Sequence, residues 1–368
     1  MHYTREDACR AWMGYASLNP DALEKLLAKY GCYEDIYDTF VKTQGSILLP
    51  YANDQQMQIL TERSDIHVMH VMMMEMLKND INVIAKDDAI YPYLLRQIPD
   101  APPLMYYKGD LRALQRDKYV TIVGSRNASP SGLEATRRIA RDLSRSGVVI
   151  VSGLAVGVDA AAHAGCLDGG SPTIGVAACG LDVNYPADNA LLKRRILDRG
   201  GLLLSETPMG EPALRWRFPV RNRILSGLSS ATVMMEARTR SGTITTIQHA
   251  LDQGREVYAY SPDPKAPHSE AAHDLLRDGA KACAEAGDIL RDLNWMPVTT
   301  YARPKEPDLS MLDEAQKTIY LLLRQDELSF DQLAAATGYD APTISGALTM
   351  LQIYGFIQTQ PGKMFKIS

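Results

Sequence analysis

The spacing of apolar residues changes twice along the chain. Over residues 1–78 they recur three and four apart, which predicts helices. One is expected over 4–18, and a second from Pro20 to Tyr30, opening after Asn19 and stopping at Gly31. A third is expected over 34–41, and a long methionine-rich one over 53–77, where the methionines read as core filling. From residue 79 the runs become short and extended. Residues 81–85 and 104–107 read as strands separated by proline turns, an edge extension of the sheet that follows. Strand-like apolar runs at 119–123, 148–152, 172–178, 202–205, 231–236 and 256–261 then alternate with helical patterns, several of which end at glycine. Such alternation predicts an α/β fold with a doubly wound, mostly parallel sheet. Prolines 297, 304 and 307 mark a linker, and 311–368 reads as three helices and a hairpin with a Pro361-Gly362 turn, a winged-helix pattern. The expected domains are therefore 1–78, 79–295 and 311–368, with 296–310 as linker.

Composition narrows the partner. Hydrophobic residues are 46% and charged residues 23% of 368, ordinary for a globular protein. No apolar run approaches membrane-spanning length and no leader pattern is read at the start, so a cytoplasmic location without membrane contact is expected. The five cysteines are scattered, and the histidines lack metal-ligand spacing, so neither a metal nor another cofactor is expected. The net charge is −5, whereas a protein that coats long duplex DNA is usually basic. Positive charge for a nucleic acid must then be local.

Local positive charge is found at two places. Gly124-Ser125-Arg126 follows the first core strand, and Ser129 with Pro130, or Ser131 with Glu134, can start the next helix. Arg126 thus stands at a strand's carboxyl end beside a helix N-terminus, a position that favours anions. No glycine fingerprint for a dinucleotide and no P-loop follows, which removes those ligands. The segment 215–223 (Arg-Trp-Arg-Phe-Pro-Val-Arg-Asn-Arg) holds four arginines, no acid and two aromatics. Guanidinium groups pair with phosphates, and aromatic faces stack on unpaired bases. The combination suits single-stranded nucleic acid. The bland alternative places Trp216 and Phe218 in the core and pairs Arg221 and Arg223 with acids such as Glu206 or Glu236. The stripe Arg137, Arg141 and Arg145 reads as a solvated face, and Cys179 as structural.

These motifs carry a resemblance. Ile122 through Arg126, Val151 through His163, Cys179-Gly180-Leu181-Asp182 with Tyr185-Pro186, Leu204-Ser205-Glu206, Phe218 through Ser229, Ser241-Gly242-Thr243 and 253–257 occur in the order found in the DNA-processing protein A (DprA/Smf) family of bacterial natural transformation, which the chain resembles. The resemblance implies an extended Rossmann-like core behind a SAM-like helical domain. It also implies a non-enzymatic protein that binds and protects single-stranded DNA, forms homodimers and promotes loading of the RecA recombinase. Carried over by position, the DNA-binding residues are Gly124, Ser125, Arg126, Ser152, Gly153, Arg215, Phe218, Arg221, Asn222, Arg223, Ser241, Gly242 and Thr243. Arg126 and Arg215 would contact phosphate and Phe218 a base. The chain departs from the family at Val156, where arginine is usual, and at Ser261-Pro262 and Ser269 through His273, where Ala271 and His273 replace the usual residues.

Two other functions stay open. Ser241-Gly242-Thr243 resembles the phosphate loop of lysine-decarboxylase-like phosphoribohydrolases, but Thr246, Ile247 and Gln248 stand where that family needs a glutamate. A duplex-binding regulator would use the winged helix, yet its recognition helix, 342–353, has no lysine or arginine for groove reading, and a protein contact is expected there.

Overall fold

Side-chain caps set the helix boundaries of the N-terminal segment. In the computed structural model, which describes residues 3–238, 241–260, 270–296, 312–324, 326–353, 356–360 and 364–367, α1 (Arg5–Ala16) opens on a reciprocal pair between Thr4 and Asp7. Asn19 accepts from the Asp21 amide ahead of α2 (Pro20–Tyr30), and α3 (Tyr33–Lys42) follows. The long helix expected over 53–77 is two helices, α4 (Asp54–Glu62) and α5 (Ile66–Lys78). The Asp65 side chain accepts from the His67 and Val68 amides and so starts a new helix where one was expected to continue. Trp12, Leu26, Ile36, Leu60 and Met76 are buried together, and the same core takes in Ile81 and, from the first two strands, Val83, Leu104 and Tyr106. The helical segment therefore shares its core with the sheet's edge.

The sheet strands are β1 (Asn82–Ala85), β2 (Leu104–Gly109), β3 (Tyr119–Val123), β4 (Val149–Ser152), β5 (Thr173–Val176), β6 (Leu202–Ser205), β7 (Ala231–Met234), β8 (Glu256–Tyr260) and β9 (Lys281–Cys283). They lie in the order β1-β2-β6-β5-β4-β3-β7-β8-β9. β1 and β2 are antiparallel additions to β6, and every other pairing is parallel. The short β9 lies outside the sequence pattern. The connecting helices are α6 (Tyr93–Arg96), α7 (Pro130–Arg145), α8 (Val158–Gly169), α9 (Ala190–Asp198), α10 (Arg217–Gly227), α11 (Gly242–Asp252), α12 (Glu270–Arg277) and α13 (Ala286–Asp292). Alternation within β3 shows why the strands read as continuous apolar runs. Val120 and Ile122 pack with Ile139 and Leu143 of α7, whereas Tyr119 and Val123 pack with Ile224 and Leu225 of α10 on the other face.

The described residues from 312 to 367 form a second compact unit. Its helices α14 (Glu314–Leu323), α15 (Phe330–Thr337) and α16 (Ala341–Ile353) enclose Ile319, Leu333, Ile344 and Leu351. The strands β10 (Leu328–Ser329), β11 (Ile357–Gln360) and β12 (Met364–Ile367) form a sheet in the order β10-β12-β11. This is the winged-helix arrangement, with β10 added to the expected hairpin. The Pro361-Gly362 turn, residues 297–311 and the 261–269 loop lie outside the described residues.

Candidate nucleic-acid interface

β3 and β7 are neighbours, but the chain proceeds from β3 to β4 on one side and from β7 to β8 on the other. Their carboxyl ends therefore form a switch point, where open α/β sheets bind ligands. Gly124-Ser125-Arg126 lies there. The Ser125 amide donates to the Glu236 carbonyl at 2.6 Å, and its own carbonyl accepts from the Val158 amide at 3.1 Å. Gly157 closes against this turn at a φ of +82°, and a Cβ there would stand 2.4 Å from the Ser125 carbonyl oxygen. The turn is held from both sides, and the Arg126 side chain is exposed.

The neighbouring helix end is not free to take an anion. Ser129 caps α7, with Pro130 at its first position, and accepts from the Gly132 amide at 3.0 Å. The Ser131 hydroxyl meets that of Ser129 at 2.9 Å. The buried Glu236 carboxylate accepts from the Ser129 amide at 2.6 Å and from its hydroxyl. A resident carboxylate thus satisfies the start of α7, and the Arg126 guanidinium stands exposed beside it.

The Arg126 guanidinium lies 5.4 Å from the Phe218 ring centroid, and Phe218 meets Tyr185 edge-on at 5.8 Å. A cavity of about 100 Å³ adjoins them, lined by Gly153, Leu154 and Val156 among others. Leu154 and Val156 make part of this wall apolar. Among the described residues neither Arg126 nor Arg215 has a carboxylate partner, and both are exposed.

The other arginines of 215–223 turn inward. Arg221 is buried and donates to the carbonyls of Gly153, at 2.9 Å, and Val176. Burial pushes its guanidinium down to about 10, against the opposing pull of Asp159. The buried Asp159 is itself pushed up by burial, and it accepts from the Gly153 and Ala155 amides at 3.1 and 3.3 Å. A Cβ at Gly153 would meet both groups, at 2.7 and 2.8 Å. Arg221, Asp159 and Gly153 therefore brace the ends of β4 and β5. Arg223 binds Glu206 through two nitrogens at 2.8 and 2.7 Å and Asp100 at 3.0 Å. The bland reading holds for Arg223, with Glu206 as partner, whereas Glu236 serves Ser129. Arg217 pairs with Glu211 at 2.7 Å and lies 5.0 Å from the Trp216 ring.

The remaining candidates are mostly structural in placement. Asn222 donates to the Gly242 carbonyl at 3.2 Å and ties α10 to α11. Ser152 is buried and donates to the Ile122 carbonyl at 2.7 Å. Thr243 is buried, Gly242 is exposed, and the enclosed Ser241 hydroxyl has no partner among the described residues. The site that the geometry assembles is Arg126, Phe218 and Tyr185 beside the braced Gly153 turn, with Arg215 three residues before Phe218. No described helix is long and apolar enough to cross a membrane, and no described cluster of His, Cys, Asp or Glu could hold a metal.

An exposed arginine on an aromatic ring, at the switch point of a doubly wound sheet, has the chemistry to meet the phosphates and unpaired bases of a nucleic acid. Residues 82–294 match the family model of DNA recombination-mediator protein A, and 303–363 match that of the DprA winged helix domain. The chain belongs to the DNA recombination-mediator protein A family, the DprA/Smf family that its motifs resemble. Protein Smf of Synechocystis sp. is 29% identical over 389 residues, covering 97% of each chain. The X-ray structure of DNA processing protein A from Streptococcus pneumoniae matches with a TM-score of 0.64 and 32% identity, over 79% of this chain and 99% of that one. DNA processing protein A from Helicobacter pylori, described for its single-stranded DNA binding mode, matches with a TM-score of 0.52 and 26% identity, over 58% of this chain and 95% of that one.

Proposed function

We propose that this protein binds single-stranded DNA along the rim that carries Arg126, Phe218 and Arg215, and that it protects incoming strands and promotes RecA loading during transformation and recombination, as a homodimer. One observation carries the reading: an exposed, unneutralised Arg126 stacked on Phe218 at the switch point. Phosphate meets the guanidinium and an unpaired base meets the ring, a pairing that a duplex cannot use because its bases are stacked inward. The single-strand binding mode described for the Helicobacter pylori relative supports this, and the family's description as a recombination mediator supports the RecA step. The exposed face of α16 presents Thr343, Ser345, Gly346 and Thr349 without a cation, which disfavours groove reading by the winged helix.

The test is fluorescence anisotropy with a labelled single strand and the matching duplex. The single strand should bind more tightly, and Arg126→Ala should weaken it. Equal affinity for both forms would contradict the reading. Incubation with nucleoside monophosphates should release no free base, and release would favour the phosphoribohydrolase alternative.

A further inference from the structure

A second depression adjoins the Arg126 site. It is a groove of about 650 Å³ between α1–α2 and the start of α10, walled by Leu18, Pro20, Pro208, Trp216 and Val220 among others. Ala177 lines both this groove and the small cavity beside Arg126. Arg221, which lines the groove, donates to the carbonyl of Gly153, which lines the cavity. The two depressions thus adjoin at Ala177 and Arg221, on either side of the start of α10. Phe218 faces one and Trp216 the other.

Trp216 is 61% exposed, an unusual state for an indole, and Val220 beside it is 44% exposed. Its ring is backed by Arg217, which Glu211 and the Pro212 carbonyl hold in place, so the platform is preorganised. Deeper in the groove, Asp100 and Glu206 already neutralise Arg223, and the buried Arg221 spends its donors on the Gly153 and Val176 carbonyls, so neither is presented to a phosphate. Arg215, immediately before Trp216, is exposed and without a carboxylate partner among the described residues. The charge pattern suits a backbone that stays outside on Arg215 while a neutral base enters.

We propose that a strand held at Arg126 and Phe218 continues across the first turn of α10 and stacks a further base on Trp216, so that α1–α2 form the far wall of the DNA path. This rests on the single-strand reading above. The groove takes an unpaired nucleobase of the same strand.

The experiment uses the full chain and oligothymidylates from about 4 to about 16 nucleotides. Trp216→Ala should leave the shortest oligonucleotides unaffected and weaken the longer ones about fivefold to a hundredfold, the effect of one lost stacked base. Trp216→Phe, which keeps a ring, should restore most of that loss, and both variants should melt like wild type. Trp12 is fully buried and Trp295 partly so, so quenching of tryptophan emission on binding should vanish with Trp216→Ala. If Trp216→Ala matches wild type at every length while Arg126→Ala still weakens binding, the strand does not cross α10 and the proposal is overturned, with the Arg126 reading intact. If neither variant alters affinity, both fall.

Discussion

Replacing Arg223 by methionine separates a structural arginine from a phosphate-binding one. The guanidinium, 7% exposed, makes two bonds to Glu206 and one ion pair to Asp100. It also donates to the carbonyls of Asp100 and Val220, each at 3.0 Å. Methionine replaces much of the stem but supplies no donor. Removing one partner of a buried charged pair costs about 3–5 kcal/mol. The Glu206 and Asp100 side chains are 30% and 55% exposed, so water resolvates them and the lower end, about 3 kcal/mol, applies. At about 2 °C per kcal/mol for a unit of this size, melting should fall by about 6 °C. Calorimetry reads the midpoint, and a salt titration of single-strand binding reads the charge. The midpoint should drop while the slope of log affinity against log salt stays. An unshifted midpoint, or a slope flattened by about 0.7, the share of one phosphate, would refute the inward placement of Arg223.

Other perturbations act on the turn and on the buried network. Gly157→Ala places a Cβ 2.4 Å from the Ser125 carbonyl at a positive φ, so stability should fall by about 2–4 kcal/mol and single-strand binding should weaken with it; a urea melt indistinguishable from wild type would count against the close packing. His163 is fully enclosed, and burial, with the Arg221 charge, pushes its imidazole down from 6.5 to about 3. The folded state holds it neutral, so its stabilising effect is complete above about pH 6.5 and is lost as pH falls below that value. Between pH 6.5 and 5 the loss should be about 2 kcal/mol. His163→Gln should remove this part of the pH dependence of urea unfolding, and an unchanged dependence would show that another group causes it.

How much was legible in the sequence follows from the kind of signal each element carried. The core strands are buried on both faces, so each reads as an unbroken apolar run, and its alternation with helices gave the doubly wound sheet. Asn19, Ser129 and Gly31 punctuated their helices because caps are local chemistry. The break at Asp65 follows Thr61-Glu62-Arg63-Ser64, polar residues that the solvated face of a continuous helix also carries, so it left no distinct signal. The 217–227 helix carries no side-chain cap and has Pro219 in its first turn, so no helical signal separated its inward from its outward residues. That is why four arginines looked like one cationic wall. Their partners, Glu206 and the carbonyls of Gly153 and Val176, come from distant strand ends and are brought close only by the fold. Glu236 was visible as an acid near the site, but its role at the start of α7 depends on the β3–β7 adjacency, which no local pattern encodes.

The inward turn of Arg217, Arg221 and Arg223 revises the electrostatics that 215–223 suggests. Of the arginines in 124–126 and 215–223, two stay outward without a carboxylate partner among the described residues, Arg126 and Arg215. The most direct measurement is therefore a salt titration of single-strand affinity on wild type, Arg126→Ala and Arg215→Ala. Two phosphate contacts give a slope of log affinity against log salt of about −1.4, and each substitution should bring it to about −0.7. A wild-type slope near zero, or one that neither substitution alters, would contradict single-strand binding at this rim.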